Sequence, residues 1–292
     1  MLRNCFLKNF ITVQLSYKIW NSFVKGGIIV KGGGYMSKRK FDFAAQLIRD
    51  IGEELNREEN TERIINYKSS DLDLVTQFDI YIQEKFVKAI NKNFSTDVIL
   101  AEEKGLSTVK PSGATWILDP IDGTANFAHR LPLYCISLAY YEGNNPVFGL
   151  IYSPKTGDLY SAYHNEGAFL NNIKIRVSER KKLKESLVTV GTTALHSVNL
   201  LNLLHKNVRR TRVLGTAALQ SAFVAAGCSE AFIGYKLNIW DIAAAYIIVK
   251  EAGGSITNWS GKEITPWDTD KMLFSNGMMN EELCALMSSI DF

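Results

Sequence analysis

The segment Trp116-Ile117-Leu118-Asp119-Pro120-Ile121-Asp122-Gly123-Thr124-Ala125-Asn126-Phe127 concentrates chemistry more than any other part of the chain. Asp119 and Asp122 stand three apart directly after an apolar run, and Pro120 stiffens the turn between them. Hard oxygen ligands at that spacing suit Mg2+, which takes one or two carboxylates per site, keeps several waters and accepts phosphate oxygens elsewhere. Gly123 permits close backbone approach. The N–H groups of Gly123 and Thr124 would open the next helical turn, where exposed donors and a positive dipole end receive an anion. The same letters also fit a plain capping turn, with Asp122 as the N-cap and Asp119 merely solvated.

Other acids could join the pair. Glu102-Glu103 ends the apolar run Val98-Ile99-Leu100-Ala101. A neighbouring strand would set one of them beside Asp119, and strand alternation sends the other away. Glu102 is the favoured ligand, and a solvated acidic doublet is the plain alternative. Trp240-Asp241 introduces the apolar helix Ile242 to Val249, so Asp241 reads as an N-cap at a helix start. Ala243, Ala244 and Ala245 permit close packing of that helix, which could carry Asp241 into the same site. Cys5, Cys135, Cys228 and Cys284 form no C-x-x-C pair, which argues against a zinc ribbon or redox dithiol and for a reducing cytoplasm. The four histidines, His129, His164, His196 and His205, make a His-rich metal site an unsuitable reading.

Around these residues the pattern predicts alternating elements. Helical spacing from Phe41 to Leu55 gives an opening helix, and a second runs from about Phe78 to Phe94, with Thr76 and Asp79 resembling a capping box. Short buried strands at 98–101 and 116–118 deliver acids to their tips, and residues 133–176 read as an antiparallel meander. Beyond residue 180 come a strand near 187–190, helices near 197–206 and 216–226, and a strand near 230–234. A helix at 241–252 is stopped by Gly253-Gly254, and strands near 255–257 and 272–275 precede a final helix. Strands beside helical layers imply a stacked α/β sandwich, in an N-terminal α+β half at 36–180 and a C-terminal α/β half at 181–292.

With 46% hydrophobic and 22% charged residues, the chain can bury a large core, and disorder, collagen and coiled coil are excluded. No run of about 18 apolar residues occurs, so no membrane span is expected. Residues 1–41 carry eight Lys/Arg and no acid, which leaves 25 Lys/Arg against 30 Asp/Glu in the remainder. That acidic body lacks the footprint of a nucleic-acid binder. Lysines interrupt every candidate secretory segment in the leader. Lys31-Gly32-Gly33-Gly34-Tyr35 before Met36 reads as a translated ribosome-binding stretch, so residues 1–35 are expected to be an extension outside the native protein.

Five motifs taken in order carry a resemblance. Lys68-Ser69-Ser70 with Asp73-Leu74-Val75-Thr76-Gln77-Phe78-Asp79 comes first, followed by Ala101-Glu102-Glu103 and then Asp119-Pro120-Ile121-Asp122-Gly123-Thr124-Ala125-Asn126-Phe127. Gly215-Thr216-Ala217-Ala218 follows, and Trp240-Asp241 with Glu251-Ala252-Gly253-Gly254 completes the set. Together they resemble the inositol monophosphatase family over about residues 40–290. The resemblance implies a Li+-sensitive, Mg2+-dependent phosphomonoesterase in a five-layer αβαβα sandwich, cytoplasmic and homodimeric. It further implies action on a small phosphorylated metabolite, with no membrane or nucleic-acid partner expected.

The resemblance also implies roles. Glu102, Asp119 and the Ile121 carbonyl would hold a first, water-activating ion; Asp119, Asp122 and Asp241 would hold a second, and Glu102 would touch a third. Thr124 and Asp79 would position the attacking water, and Lys68 would lie in a mobile flap. Gly123 and Thr124 would meet the phosphate, while Asp122 and Ala217 would line the substrate pocket. Seven residues before Asp241, animal-type enzymes carry a Glu that binds sugar hydroxyls; this chain has Gly234, followed by Tyr235 and Lys236. The change favours a larger or more anionic substrate, so 3′-phosphoadenosine 5′-phosphate, fructose 1,6-bisphosphate and NADP join inositol phosphates as expectations.

Two rivals are weaker. Asp71-Leu72-Asp73-Leu74-Val75 fits the nucleophile loop of haloacid-dehalogenase-like phosphatases, but no apolar strand precedes it. An RNA-associated regulatory protein using the basic N-terminus has no need of Asp79, Glu102, Asp119, Asp122, Asp241 and Thr124 together.

Overall fold

A computed structural model describes residues 33–58, 63–67, 74–103, 113–191 and 198–288. Lys68, the expected flap residue, and Asp71 lie outside the described residues, as does most of the 1–35 extension. The chain divides into two compact units, Met1–Lys40 and Phe41–Phe292. In the first, the described part is the opening of helix α1 (Gly33–Arg57). That helix begins before the expected Phe41, because Lys38, Arg39 and Lys40 ahead of it favour helix.

In the second unit, β1 (Ile65–Tyr67) and β2 (Leu74–Thr76) form a small antiparallel ribbon. Helix α2 (Gln77–Asn93) follows, opened by the expected capping box of Thr76 and Asp79. Strands β3 (Val98–Ala101), β4 (Ala114–Asp122), β5 (Cys135–Glu142), β6 (Asn145–Ser153), β7 (Asp158–Tyr163), β8 (Gly167–Leu170) and β9 (Ile173–Ile175) make one seven-stranded sheet in sequential order. Helix α3 (Thr124–Ala128) is the short turn after β4. The expected meander at 133–176 is thus β5 to β9.

A second sheet contains β10 (Leu187–Val190), β11 (Arg210–Arg212), β12 (Ala231–Tyr235), β13 (Ser255–Asn258) and β14 (Lys271–Ser275), in the order β11-β10-β12-β14-β13. Its helices are α4 (Val198–Asn207), α5 (Ala217–Ala225), α6 (Ile239–Glu251) and α7 (Asn280–Ser288). Strand β11 escapes the sequence pattern because Arg210-Thr211-Arg212 is an edge strand, where charge is favoured over hydrophobic alternation.

Three hydrophobic clusters separate five layers. Ala44, Ile48, Ile51 and Leu55 of α1 and Phe78, Ile82, Phe86 and Ile90 of α2 recur at three- and four-residue spacing, so each helix presents one stripe to the first sheet. That face of the sheet is Trp116, Leu118, Ile136, Leu138, Tyr140, Phe148 and Leu150, while the alternate residues Ile117, Ala139, Tyr141 and Ile151 point to α5 and α6. Helices α5 and α6 are apolar on all sides because a sheet covers each flank, the second contributing Phe232, Ile256, Met272 and Phe274. Beyond it, Val188, Val190, Ala231, Ile233 and Leu273 face Leu200, Leu204, Leu283 and Met287 of α4 and α7. The architecture is the five-layer αβαβα sandwich expected of the α/β class.

Candidate active site

The site grows from the end of β4. Strands β3 and β4 pair in parallel, with Leu100 opposite Ile117 and Ala101 opposite Leu118. The Glu102 N–H donates to the Leu118 carbonyl at 3.3 Å, so the next residues along both chains, Glu102 and Asp119, meet. Glu103 takes the other direction. Its side chain is buried, and its backbone is held by Gln83 of α2, whose Oε1 accepts the Glu103 N–H at 2.8 Å while its amide donates to the Glu103 carbonyl. Sequence reasoning misses Gln83, since a lone Gln inside a helical stripe carries no local signal.

The expected proline turn is corrected: β4 does not stop at Leu118 but runs through Pro120 to Asp122. Asp119 pairs with Ser137 and Asp122 with Cys135, so β4 uses one more residue than β5 across this stretch. The irregularity accommodates the missing N–H of Pro120. Gly123 then turns the chain at φ 95°, and a Cβ there would meet the Leu133 carbonyl at 3.0 Å and the Gly215 carbonyl at 3.2 Å. Gly123, not Asp122, is therefore the N-cap of α3.

Asp122 caps a different helix. Its Oδ1 accepts the Ala217 N–H at 3.1 Å, and its Oδ2 accepts the Ala218 N–H at 2.8 Å and the Thr216 hydroxyl at the start of α5. The Cys135 thiol lies 3.5 Å from the same Oδ2. Burial pushes the Asp122 carboxyl above its ordinary value, and these donors pull it partly back. Burial, with the charges of Asp122 and Asp119 beside it, also raises the Cys135 thiol well above its ordinary range, which keeps it protonated.

Asp119 is placed differently. It is buried, and its carboxyl is held well above the usual range, first by burial and then by the negative charges of Glu102, Asp122 and Asp241; it also shares a hydrogen bond with Glu102. Its Oδ1 is buried and has no hydrogen-bond partner. Asp79 is fully buried too, and burial raises its carboxyl against the pull of Thr76 and Thr124. The Thr124 Oγ1 lies 3.0 Å from Asp79 Oδ1 and 2.9 Å from the Ile121 carbonyl oxygen.

Asp241 arrives on α6. It sits at the third helical position and accepts the Asn238 N–H at 2.7 Å, so Asn238 is the N-cap rather than Asp241. Close packing delivers it. Gly149 on β6 has no room for a side chain, since a Cβ would stand 2.5 Å from the Ala244 carbonyl and 2.9 Å from the Ala244 Cα. The Tyr141 hydroxyl donates to the Ala243 carbonyl at 2.9 Å, and the Ser137 hydroxyl to the Trp240 carbonyl at 3.3 Å. Helix α6 is thereby seated against the first sheet, close enough for the negative charge of Asp241 to act on Asp119.

The structure thus gathers Glu102, Asp119, Asp122, Asp241 and Asp79 with Thr124 and the Ile121 carbonyl around the end of β4. Ala217 lies at the start of α5 behind Asp122. Among the described residues, no three His, Cys, Asp or Glu side chains are already closed into a chelating cluster. The donor chemistry nevertheless fits a hard divalent cation: crowded buried carboxylates with one orphaned oxygen are costly unless a positive charge joins them. Gly234 lies on the inner face of β12, where a Cβ would meet Leu237 Cδ1 at 2.9 Å and Met272 Cε at 3.5 Å. Tyr235 departs from its expected place at the substrate. It packs into the outer cluster, its ring 5.6 Å from that of Trp259.

Comparison with known proteins agrees with the fold. The family model described as the inositol monophosphatase family matches residues 37–291. The fructose-1,6-bisphosphatase/inositol-1-monophosphatase of Thermotoga maritima is 37% identical over 255 residues, covering 86% of this chain and 96% of that protein. A crystal structure of an IMPase/NADP phosphatase complexed with Mg2+ and phosphate superposes with a TM-score of 0.81 at 27% identity, covering 87% of this chain and 97% of the other. The LiCl-soaked inhibitory complex of staphylococcal inositol monophosphatase-1 gives a TM-score of 0.81 at 27% identity, covering 87% and 96%. This chain belongs to the inositol monophosphatase family, and it is a metal-dependent phosphoric monoester hydrolase.

Proposed function

We propose that the protein hydrolyses small phosphate monoesters with two or three Mg2+ ions held by Glu102, Asp119, the Ile121 carbonyl, Asp122 and Asp241. The observation that carries this reading is the orphaned Oδ1 of Asp119, buried where the charges of Glu102, Asp122 and Asp241 converge. When bound, such ions make a water acidic enough to attack phosphorus and neutralise charge on the leaving oxygen. The chain's own groups do the rest. The Thr124 hydroxyl, donating to Asp79 Oδ1, turns its lone pairs toward a water proton. Asp79, made a stronger proton acceptor by burial, stands at the end of that relay. Gly123 and Thr124 open α3 and offer N–H groups to the phosphate. Lys68 belongs to this reading as the flap residue. No side chain needs to form a covalent phosphoenzyme.

Inositol phosphates are the nominal substrates. A second reading, toward fructose 1,6-bisphosphate, NADP or 3′-phosphoadenosine 5′-phosphate, is favoured by Gly234, which offers no acceptor to a sugar hydroxyl. The double name of the Thermotoga relative and the NADP phosphatase neighbour support it. Inhibition by Li+, a cytoplasmic location and a homodimer complete the proposal; among the described residues no helix is long and apolar enough to cross a membrane.

A phosphate-release screen over these substrates tests the reading, run with Mg2+, with EDTA, and with Mg2+ plus Li+. Release is expected with Mg2+, none in EDTA, and less in Li+. Undiminished release in EDTA would defeat the metal assignment, and release that Li+ leaves untouched would remove the lithium proposal.

A further inference from the structure

We infer that Thr216 is a positioning residue for Asp122, the key of a polar latch that Asn126 and Gln220 hold shut. The inference rests on the proposed reading of Asp122 as a metal ligand, and it specifies how that ligand is aimed.

The latch starts with a single hydroxyl. Thr216 is the N-cap of α5, its Oγ1 accepting the Leu219 N–H at 3.4 Å. The same Oγ1 donates its only proton to Asp122 Oδ2. A hydroxyl has one donor and two acceptor lone pairs, so capping and holding are compatible, and together they fix the hydroxyl's direction. With Ala218 N–H at 2.8 Å and the Cys135 thiol at 3.5 Å, Asp122 Oδ2 has three donors. Oδ1 has one, the Ala217 N–H. The lone pairs of Oδ2 are therefore occupied by protein donors. Oδ1, with a single donor, is the oxygen that would remain for a cation, and donors on both oxygens oppose rotation of the carboxylate.

The turn that carries Thr216 is itself held by side chains. Gln220 is fully buried; its Nε2 donates to the Thr216 carbonyl at 2.9 Å and its Oε1 accepts the Leu214 N–H at 3.2 Å. Asn126 of α3 donates through Nδ2 to the Leu214 carbonyl at 2.7 Å and to the Leu133 carbonyl at 2.7 Å. Both backbone polar groups of Leu214 are thus occupied by side chains from two elements. Gly215 completes the turn at φ 71°, where a Cβ would stand 3.0 Å from Asn126 Nδ2. A helix cap alone needs none of this. The arrangement ties the segment after β4 to the start of α5 through the carboxylate that both must aim.

The test is direct Mn2+ binding to metal-free protein, followed by electron paramagnetic resonance without substrate, alongside melting temperature. Thr216→Val is expected to weaken Mn2+ affinity by about 10- to 100-fold, as loss of a group orienting a metal ligand does, and Thr216→Ser to restore it. Thr216→Gly separates the two duties, because Gly caps a helix nearly as well as Thr but has no hydroxyl. It should melt close to wild type and still bind Mn2+ weakly. Wild-type Mn2+ affinity in Thr216→Val and Thr216→Gly, with binding lost in Asp122→Asn, would overturn the latch and leave the ligand assignment standing. Wild-type affinity in Asp122→Asn would overturn both.

Discussion

Three residues apart on one strand, Asp119 and Asp122 occupy opposite surroundings. On the side facing α5, Asp122 meets a hydroxyl, two backbone N–H groups and a thiol. On the side facing β3 and α6, Asp119 meets the negative charges of Glu102 and Asp241 and leaves one oxygen unpartnered. Burial raises both carboxyls, but on one side the protein supplies the counter-dipoles and on the other it withholds them. The α5 side is therefore organised in advance, by the fold alone. The β3 and α6 side is a concentration of charge that folding leaves unresolved and that a divalent cation would relieve.

The sharpest way to break this contrast is Asp119→Asn. Removing the central acid should lower kcat by at least about 10²- to 10³-fold, the usual loss when one preorganised electrostatic partner of a transition state is removed. Steady-state phosphate release across a Mg2+ titration measures it. Wild-type turnover with a wild-type Mg2+ response would mean that the unresolved side is not the catalytic one.

Stability without metal sharpens the same contrast. In EDTA, Asp122→Asn should destabilise the fold by about 1–3 kcal/mol, because an amide offers one acceptor oxygen where the donors at α5 need two. Asp119→Asn should cost nothing or stabilise, since it removes a charge that Glu102, Asp122 and Asp241 repel. Denaturant unfolding of both variants decides, and equal losses would erase the distinction between the two sides. A related effect is expected at Gly149→Ala. A methyl group cannot stand 2.5 Å from the Ala244 carbonyl, so α6 must lift from β6. Overpacking of this kind costs about 1–3 kcal/mol. Because α6 carries Asp241 and not Asp122, the variant should also need more Mg2+ for half-maximal rate; an unchanged requirement would show that the seating of α6 does not set the site.

The two sides also differ in how far the letters reveal them. The Glu102–Asp119 meeting is legible, because two apolar runs ending in acids become neighbouring strands once they pair in register. The Thr76 and Asp79 capping box is legible for a similar reason, being confined to four consecutive residues. Asp122 is not. Its neighbours allow a local cap, and three of its four donors, on Thr216, Ala217 and Ala218, lie more than ninety residues along the chain. Neither Gln83 nor Gly149 announces itself, since each acts through the backbone of a distant element and leaves no periodic trace. Pro120 misleads for a physical reason. A proline usually ends a strand, yet here the ladder slips by one residue and continues to Asp122. Most helices fall within a residue or two of their expected places, because each buries a continuous apolar stripe.

The smallest expected effect concerns the alcohol half of the substrate rather than the acids. Gly234 faces inward from β12 next to Leu237 and Met272, and the Leu237 side chain is flexible enough to yield to a Cβ. A carboxylate in that apolar corner has two outcomes. It can remain among Leu237 and Met272, where burying an unpaired charge is unfavourable, or it can reach toward the pocket, where a polyol hydroxyl would satisfy it. Gly234→Glu should therefore leave the Mg2+ requirement unchanged and move the ratio of kcat/KM for inositol monophosphate over fructose 1,6-bisphosphate or NADP by about tenfold, the net worth of one added hydrogen bond of about 1.4 kcal/mol. The effect is small because the phosphate half, which supplies most of the transition-state stabilisation, is untouched. If the ratio stays at its wild-type value while total activity is normal, the space at Gly234 is not where this enzyme reads its alcohol.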